Sequence, residues 1–206
     1  MEDNIRIVSV DPGNGLGVAA LDFDLKTRKF KVLDAYTLDL SRYIPNDDET
    51  DKRDISLQRL AKLQKFLKRY LKVWRPDYGA HETAYVPHRG GGASIYSFAS
   101  LVENILTIKF SFISVAPNAR IFEVNPTTVK TSTVGFKSSD KSLVLKALIA
   151  DEDIDLSSLD MKRLNQHNCD AIAIGVTAVR EYFNLSVAND QTMIGFRGKK
   201  NARRKK

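Results

Sequence analysis

Ile5-Arg6-Ile7-Val8-Ser9-Val10-Asp11-Pro12-Gly13-Asn14-Gly15-Leu16-Gly17 is the stretch on which the reading of this chain turns. The apolar, β-branched run over 5–10 predicts a strand that ends on Asp11. A carboxylate on a rigid strand end, facing a Gly-rich turn, suits a metal ion or a phosphate. The glycines permit φ > 0 and let a large anion approach the backbone, and Pro12 removes an amide donor that would compete for the carboxylate. Taken alone, the segment reads equally well as a plain turn, because Asp, Pro and Gly are the commonest turn formers.

Working outward, residues 17–24 and 29–38 predict two further strands, giving two antiparallel pairings. An acidic loop, Pro45 to Asp54, precedes a helix with Leu57, Leu60, Leu63, Leu67, Leu71 and Trp74 at helical spacing. Pro76 stops it, and Tyr78-Gly79-Ala80-His81-Glu82 predicts a short central strand. After the loop Pro87 to Gly92 come an apolar helix from about Ser94 to Ile108 and a strand over Arg120 to Val124. Asn125-Pro126 opens another helix, with Pro at the first helical position, and two more are expected near 139–150 and 166–184. Three antiparallel strands followed by strand–helix alternation predict an α/β fold: a mixed five-stranded sheet with helices on both faces.

With 206 residues, 43% of them hydrophobic, the chain is expected to form one domain over 1–185, followed by a tail over 186–206. No apolar stretch is expected to reach the roughly 20 residues that cross a bilayer, and the N-terminus runs into the first strand without a targeting segment. The expectation is a soluble intracellular protein with no membrane partner, of bacterial cytoplasm or a virus-infected cell. The single cysteine, Cys169, excludes an intrachain disulfide and a Cys-based zinc site. Seven basic residues and no acid occupy Phe196 to Lys206, leaving 25 basic against 25 acidic side chains in the rest of the chain. The tail therefore carries the whole formal excess of +7. Such an arm cannot build a core and suits a polyanion, most simply nucleic acid, with a solubility or localisation tag as the plainer reading.

Three acids stand at element ends: Asp11 closes the first strand, Glu82 the fourth, and Asp170 lies in the first turns of the last helix. The first and fourth strands of a mixed sheet can be neighbours, bringing Asp11 and Glu82 within reach of one ion. His167 and Asp170, three residues apart, share a helical face. Hard oxygen donors with one imidazole suit Mg²⁺ or Mn²⁺ and two-metal phosphodiester hydrolysis, although scattered acids are more often simply solvated. Other polar residues take plainer roles. Asp22 and Asp24 are expected to face solvent, and Asp151, Glu152, Asp153 and Asp155 form a solvated acidic loop without the remaining EF-hand positions. His81 points away from Glu82 across the strand and is structural, His88 is an open candidate for DNA contact, and Cys169 is packed rather than reactive.

Four motifs taken together resemble the RuvC-type Holliday junction resolvases of the ribonuclease H-like superfamily. They are Val10-Asp11-Pro12-Gly13 with Gly15 and Gly17; Pro76 to Glu82 with Tyr85; Asn125 to Lys130 with Val134-Gly135 and Asp140-Lys141-Ser142; and His167-Asn168-Cys169-Asp170 to Gly175. They stand in the family's order at close to its spacing over roughly residues 5 to 183. The first loop is two residues shorter than the usual form and lacks its threonine, and the fourth ligand is His where some members carry Asp.

The resemblance implies that Asp11, Glu82, His167 and Asp170 are catalytic residues holding two Mg²⁺ ions, with Mn²⁺ able to substitute. It also implies that Lys130 and Lys141 lie near the scissile phosphate, Lys141 neutralising charge that develops there, and that Tyr85 stacks on bases at the junction centre. Arg89 in the following loop, and Arg197, Lys199, Lys200, Arg203 and Arg204 in the tail, complete the expected DNA-binding set. The expected activity is a metal-dependent endonuclease, acting as a homodimer, that resolves four-way junctions by paired nicks in recombination, repair or viral DNA processing. The helix from Ser94 to Ile108 is the dimerisation candidate. A nuclease cutting flaps, forks and other branches is the alternative, and a non-catalytic binder of branched DNA the second.

Overall fold

Alternation along the first strand decides which helices cover which face. The computed structural model describes residues 4–13, 15–40, 52–84, 95–135 and 142–185. In β1 (Asn4–Asp11), Ile7 joins a buried cluster with Leu21, Ala80 and Ile172, whereas Val8 and Val10 join a second cluster with Leu63, Leu67 and Ile108. Successive side chains point to opposite faces, so each face of the sheet has its own core.

β2 (Gly15–Asp24) and β3 (Phe30–Asp39) extend β1 antiparallel on one side, and β4 (Tyr78–Glu82) and β5 (Arg120–Val124) pair parallel on the other. The sheet has six strands, not five, in the order β5-β4-β1-β2-β3-β6. The extra strand, β6 (Ile154–Asp155), pairs parallel with Phe30 and Lys31 at the edge of β3. Two residues carry no periodicity, so β6 leaves no trace in the sequence pattern; it exists because tertiary contacts hold the turn before it. Arg180, only 6% exposed, reaches Asp151 at 2.9 Å and Asp153 at 3.8 Å, and the Asp153 carbonyl accepts from the Phe30 amide at 2.7 Å. Asp151 and Asp153 are thus anchored, while Glu152 and Asp155 are exposed as expected of a solvated loop. Asp22 is likewise paired, accepting two bonds from its cross-strand neighbour Arg6 at 2.8 and 2.9 Å.

α1 (Lys52–Trp74) and α2 (Ile95–Val115) cover the Val8 face, and α3 (Pro126–Val134), α4 (Ser142–Ala150) and α5 (Gln166–Tyr182) the Ile7 face. Leu57, the first leucine of the α1 pattern, is exposed, while Leu63, Leu67 and Leu71 are buried. α3 begins as its sequence predicts, with Asn125 capping Thr127 and Pro126 opening the helix, and ends on Gly135 at φ +80°.

α2 runs two turns past Ile108, which corrects the expectation that no apolar stretch approaches membrane length. By length and composition Ser97–Val115 could cross a bilayer. Here it lies on the sheet through Ile108 and Phe112, buries Asn104 and Ser111, and leaves Leu106, Phe110 and Ile113 exposed.

Candidate active site

The parity that separates the two cores also aims the acids. Asp11 follows Ile7 and Ser9 in phase, and Glu82 follows Tyr78 and Ala80, so both carboxylates emerge on the α5 side. β1 and β4 are parallel neighbours in register up to Val10 opposite His81, which brings Asp11 and Glu82 side by side at the carboxyl ends of two central strands. α5 supplies the third side. Its N-cap, Asn165, accepts from the amides of His167 and Asn168, while the Asn168 side chain accepts from the Asn165 amide at 2.8 Å. Thr37 also donates to Asn165 at 2.9 Å, tying the helix start to β3.

Small residues let this helix come close. A Cβ on Gly17 would lie 1.9 Å from the His167 carbonyl oxygen, and one on Gly175 2.8 Å from Ser9 Oγ. Ser9 itself donates to the Ala171 carbonyl at 2.7 Å, pinning α5 to the strand that ends in Asp11. Neither Gly13 nor Gly17 takes the positive φ that a glycine permits. The role of Gly15 is steric: it makes room for the His167 ring, since a Cβ there would lie 2.3 Å from Nε2.

His167 Nδ1 therefore faces Asp11, at 3.4 Å from Oδ2. Asp170, one turn on, accepts from Gln166 at 3.2 Å. Burial, together with the nearby charges of Asp11 and Asp170, pushes the Glu82 carboxyl up to about 7, against the opposing pull of Lys130 on α3. Behind the site, Asn104 of α2 donates to the Pro12 carbonyl at 3.0 Å and fixes the chain after Asp11.

Three carboxylates and an imidazole at the positive end of a helix make a donor set whose chemistry fits a hard divalent cation. Glu82 in particular is desolvated among like charges with only Lys130 to offset them, the situation a cation relieves. Among the described residues no three His, Cys, Asp or Glu side chains close to ligand distance of one point, so the donors stand at electrostatic range of one another.

Lys130 is exposed on α3, and its charge reaches Glu82. His81 is fully buried on the opposite face and donates through Nδ1 to the Glu82 carbonyl at 2.8 Å. Cys169 is buried and its thiol is pushed up to about 11, chiefly by burial, which leaves it inert. Tyr85, Arg89, Lys141, Arg197, Lys199, Lys200, Arg203 and Arg204 lie outside the described residues, as does His88. Ser9, Asn165, Thr37 and Asn104 belong to no motif of the sequence that points to the site. Only the Asn165-x-x-Asn168 spacing, a capping box with Asn in place of Glu or Gln, carried a local signal.

No protein-family model and no curated protein matches the chain. Solved structures do. The RuvC structure from Thermus thermophilus superposes with a TM-score of 0.62 at 16% identity, over 87% of this chain and 97% of that one. The same enzyme in complex with a Holliday junction substrate gives 0.63 at 14% identity, over 87% and 96%. This chain has the RuvC fold. The yeast mitochondrial Holliday junction resolvase Ydc2 shares it, with a TM-score of 0.57 at 15% identity over 85% of this chain and 78% of that chain. Within the RuvC fold, Asp11 and Glu82 end the two adjacent central strands and α5 closes over them.

Proposed function

We propose that this protein is a divalent-metal-dependent, structure-selective endonuclease that cuts four-way DNA junctions. One observation carries the reading: in a RuvC fold, Asp11, Glu82 and Asp170 share one electrostatic environment beside His167, and Glu82 bears the repulsion. Asp11, Glu82, Asp170 and the Nδ1 of His167 would hold the cation, Mg²⁺ or Mn²⁺, in a pair in the two-metal form. When bound, such ions lower the pKa of a water and stabilise charge on the attacked phosphate.

The chain's own residues prepare for this. Ser9, Asn165 and Gly17 hold α5 against the strand ends, so Asp170 and His167 stay opposite Asp11 and Glu82. Lys130 stands where it can neutralise a phosphate oxygen, and Lys141 is given the same task at the scissile bond. Tyr85 is assigned to stack on bases opened at the junction centre, and Arg89 and the tail residues Arg197, Lys199, Lys200, Arg203 and Arg204 to the DNA backbone. Two equivalent strands call for two active sites, hence a homodimer, and the exposed Leu106, Phe110 and Ile113 on α2 offer an apolar face for it. The setting is intracellular DNA processing.

The test is incubation with a synthetic four-way junction, a flap and a linear duplex, with Mg²⁺ or with EDTA. Paired symmetric nicks on the junction, lost in EDTA, are expected. Equal cutting of flap and junction would replace this reading with a general branch nuclease, and no cutting in Mg²⁺ would leave only a binding protein.

A further inference from the structure

Between Ile55 and Pro76 the chain carries seven cations, Arg59, Lys62, Lys65, Lys68, Arg69, Lys72 and Arg75, and no acid. Arg59 turns inward to Glu103 at 3.4 Å. Lys62, Lys65, Arg69 and Lys72 are exposed, and steps of three, four and three residues align them along one side of α1. The opposite side of the helix buries Leu63, Leu67, Tyr70 and Leu71 against the sheet. At 1.5 Å per residue the row spans about 15 Å.

Its end opens onto a cavity of about 930 Å³ whose lining includes Lys72, Arg75 and Arg120, one acid, Asp77, and Tyr78 and Tyr182. Asn4 and Ile5 line it too, so the row of cations on α1 ends beside the amino ends of the central strands. Asp11 and Glu82 stand at the other ends, about 23 Å away along β1, and α5 lies on the other face of the sheet.

Like charges three and four residues apart weaken a helix, whereas alternating signs support it. Without the tail the chain is electrically balanced at 25 basic and 25 acidic residues, so this row is not a sample of a general excess. A dense line of negative charge relieves the repulsion. The aromatics of α1 meanwhile face one another: Phe66 stacks on Tyr70 at 5.8 Å and contacts Tyr36, and Tyr70 contacts Trp74. None is presented for base stacking, which single strands need.

We propose that the outer face of α1 binds the phosphate backbone of duplex DNA at a surface separate from the candidate active site. One protomer would then hold two duplex segments, one on each face of its sheet. The segment on the α5 face rests on the nuclease reading; binding of linear duplex to α1, without cleavage, does not.

The test uses the full chain in EDTA, with a fluorescent linear duplex of about 30 base pairs and salt titrations of its affinity. The combined substitution Lys62→Gln, Lys65→Gln, Arg69→Gln and Lys72→Gln removes the row. A control removes the same charge from scattered exposed sites, Lys29→Gln, Lys31→Gln, Lys146→Gln and Lys162→Gln. The slope of log K against log salt is expected to fall by up to about 3.6 for the row variant, at about 0.9 per phosphate contact, and little for the control. Restoring the row with Arg at all four positions restores the slope. An unchanged slope, or an equal loss in the control, overturns the proposal, as does loss of binding to anionic vesicles with duplex binding intact. Junction cleavage assayed in parallel reports on the nuclease reading by itself.

Discussion

Replacing Glu82 by Gln should stabilise the metal-free protein, and only at neutral and higher pH. The Glu82 carboxyl sits at about 7 in the fold against an ordinary value of 4.5. Its folded pKa is raised, so the unfolded chain loses this proton first as pH rises. The fold is unpenalised below about 4.5, loses stability between there and about 7, and bears the full cost above. At about 1.4 kcal/mol per pH unit the limiting cost is about 3 kcal/mol, an upper figure for a site that water partly reaches. Gln keeps the shape without the charge. Urea or thermal unfolding in EDTA should show the variant more stable by up to about 3 kcal/mol at pH 8, or roughly 6–12 °C in Tm for a domain of this size, and by under about 1 kcal/mol at pH 5. Saturating Mg²⁺ should close the gap by raising the wild type alone, because cation binding does the same work as neutralising Glu82. A variant less stable than wild type at pH 8, or a gap independent of pH, would refute the crowding of charge at this position. A gap indifferent to Mg²⁺ would refute the cation site alone.

Asp11→Asn is expected to abolish junction cleavage while leaving junction affinity within about threefold, since affinity rests mainly on phosphate contacts; gel-shift and nicking assays on one preparation check this, and normal turnover removes Asp11 from the ligand set. Gly17→Ala places a methyl 1.9 Å from the His167 carbonyl oxygen and should cost about 3 kcal/mol or more, whereas Gly15→Ala meets only the movable His167 ring and should cost far less stability but most of the activity. Paired melts and cleavage rates separate the two, and equal stability losses would contradict the packing argument. His167→Asp should abolish any advantage of Mn²⁺ over Mg²⁺, because imidazole favours the softer ion; the ratio of cleavage rates in the two metals, unchanged by the substitution, would show that Nδ1 is not a ligand.

Local sequence determined a good deal by itself. β4 and β5 fall where their short apolar runs end, because Pro76 and Asn125-Pro126 punctuate them. The period of two in β1 and β4 already placed Asp11 and Glu82 at strand ends and turned His81 the other way, since side-chain direction in a strand is a property of residue number alone. The spacing of His167 and Asp170 fixed their common helical face for the same reason. Tertiary structure decided the rest. Whether β1 and β4 touch depends on strand order, which no local pattern encodes. The turn at Asp151 and Asp153 reads as solvated until Arg180, some 30 residues away, folds onto it and brings β6 to the edge of β3. Gly15 and Gly17 give no sign of α5, because a glycine reports only that a side chain is absent. What fills that space, here the ring and carbonyl of His167, comes from a segment about 150 residues further along the chain.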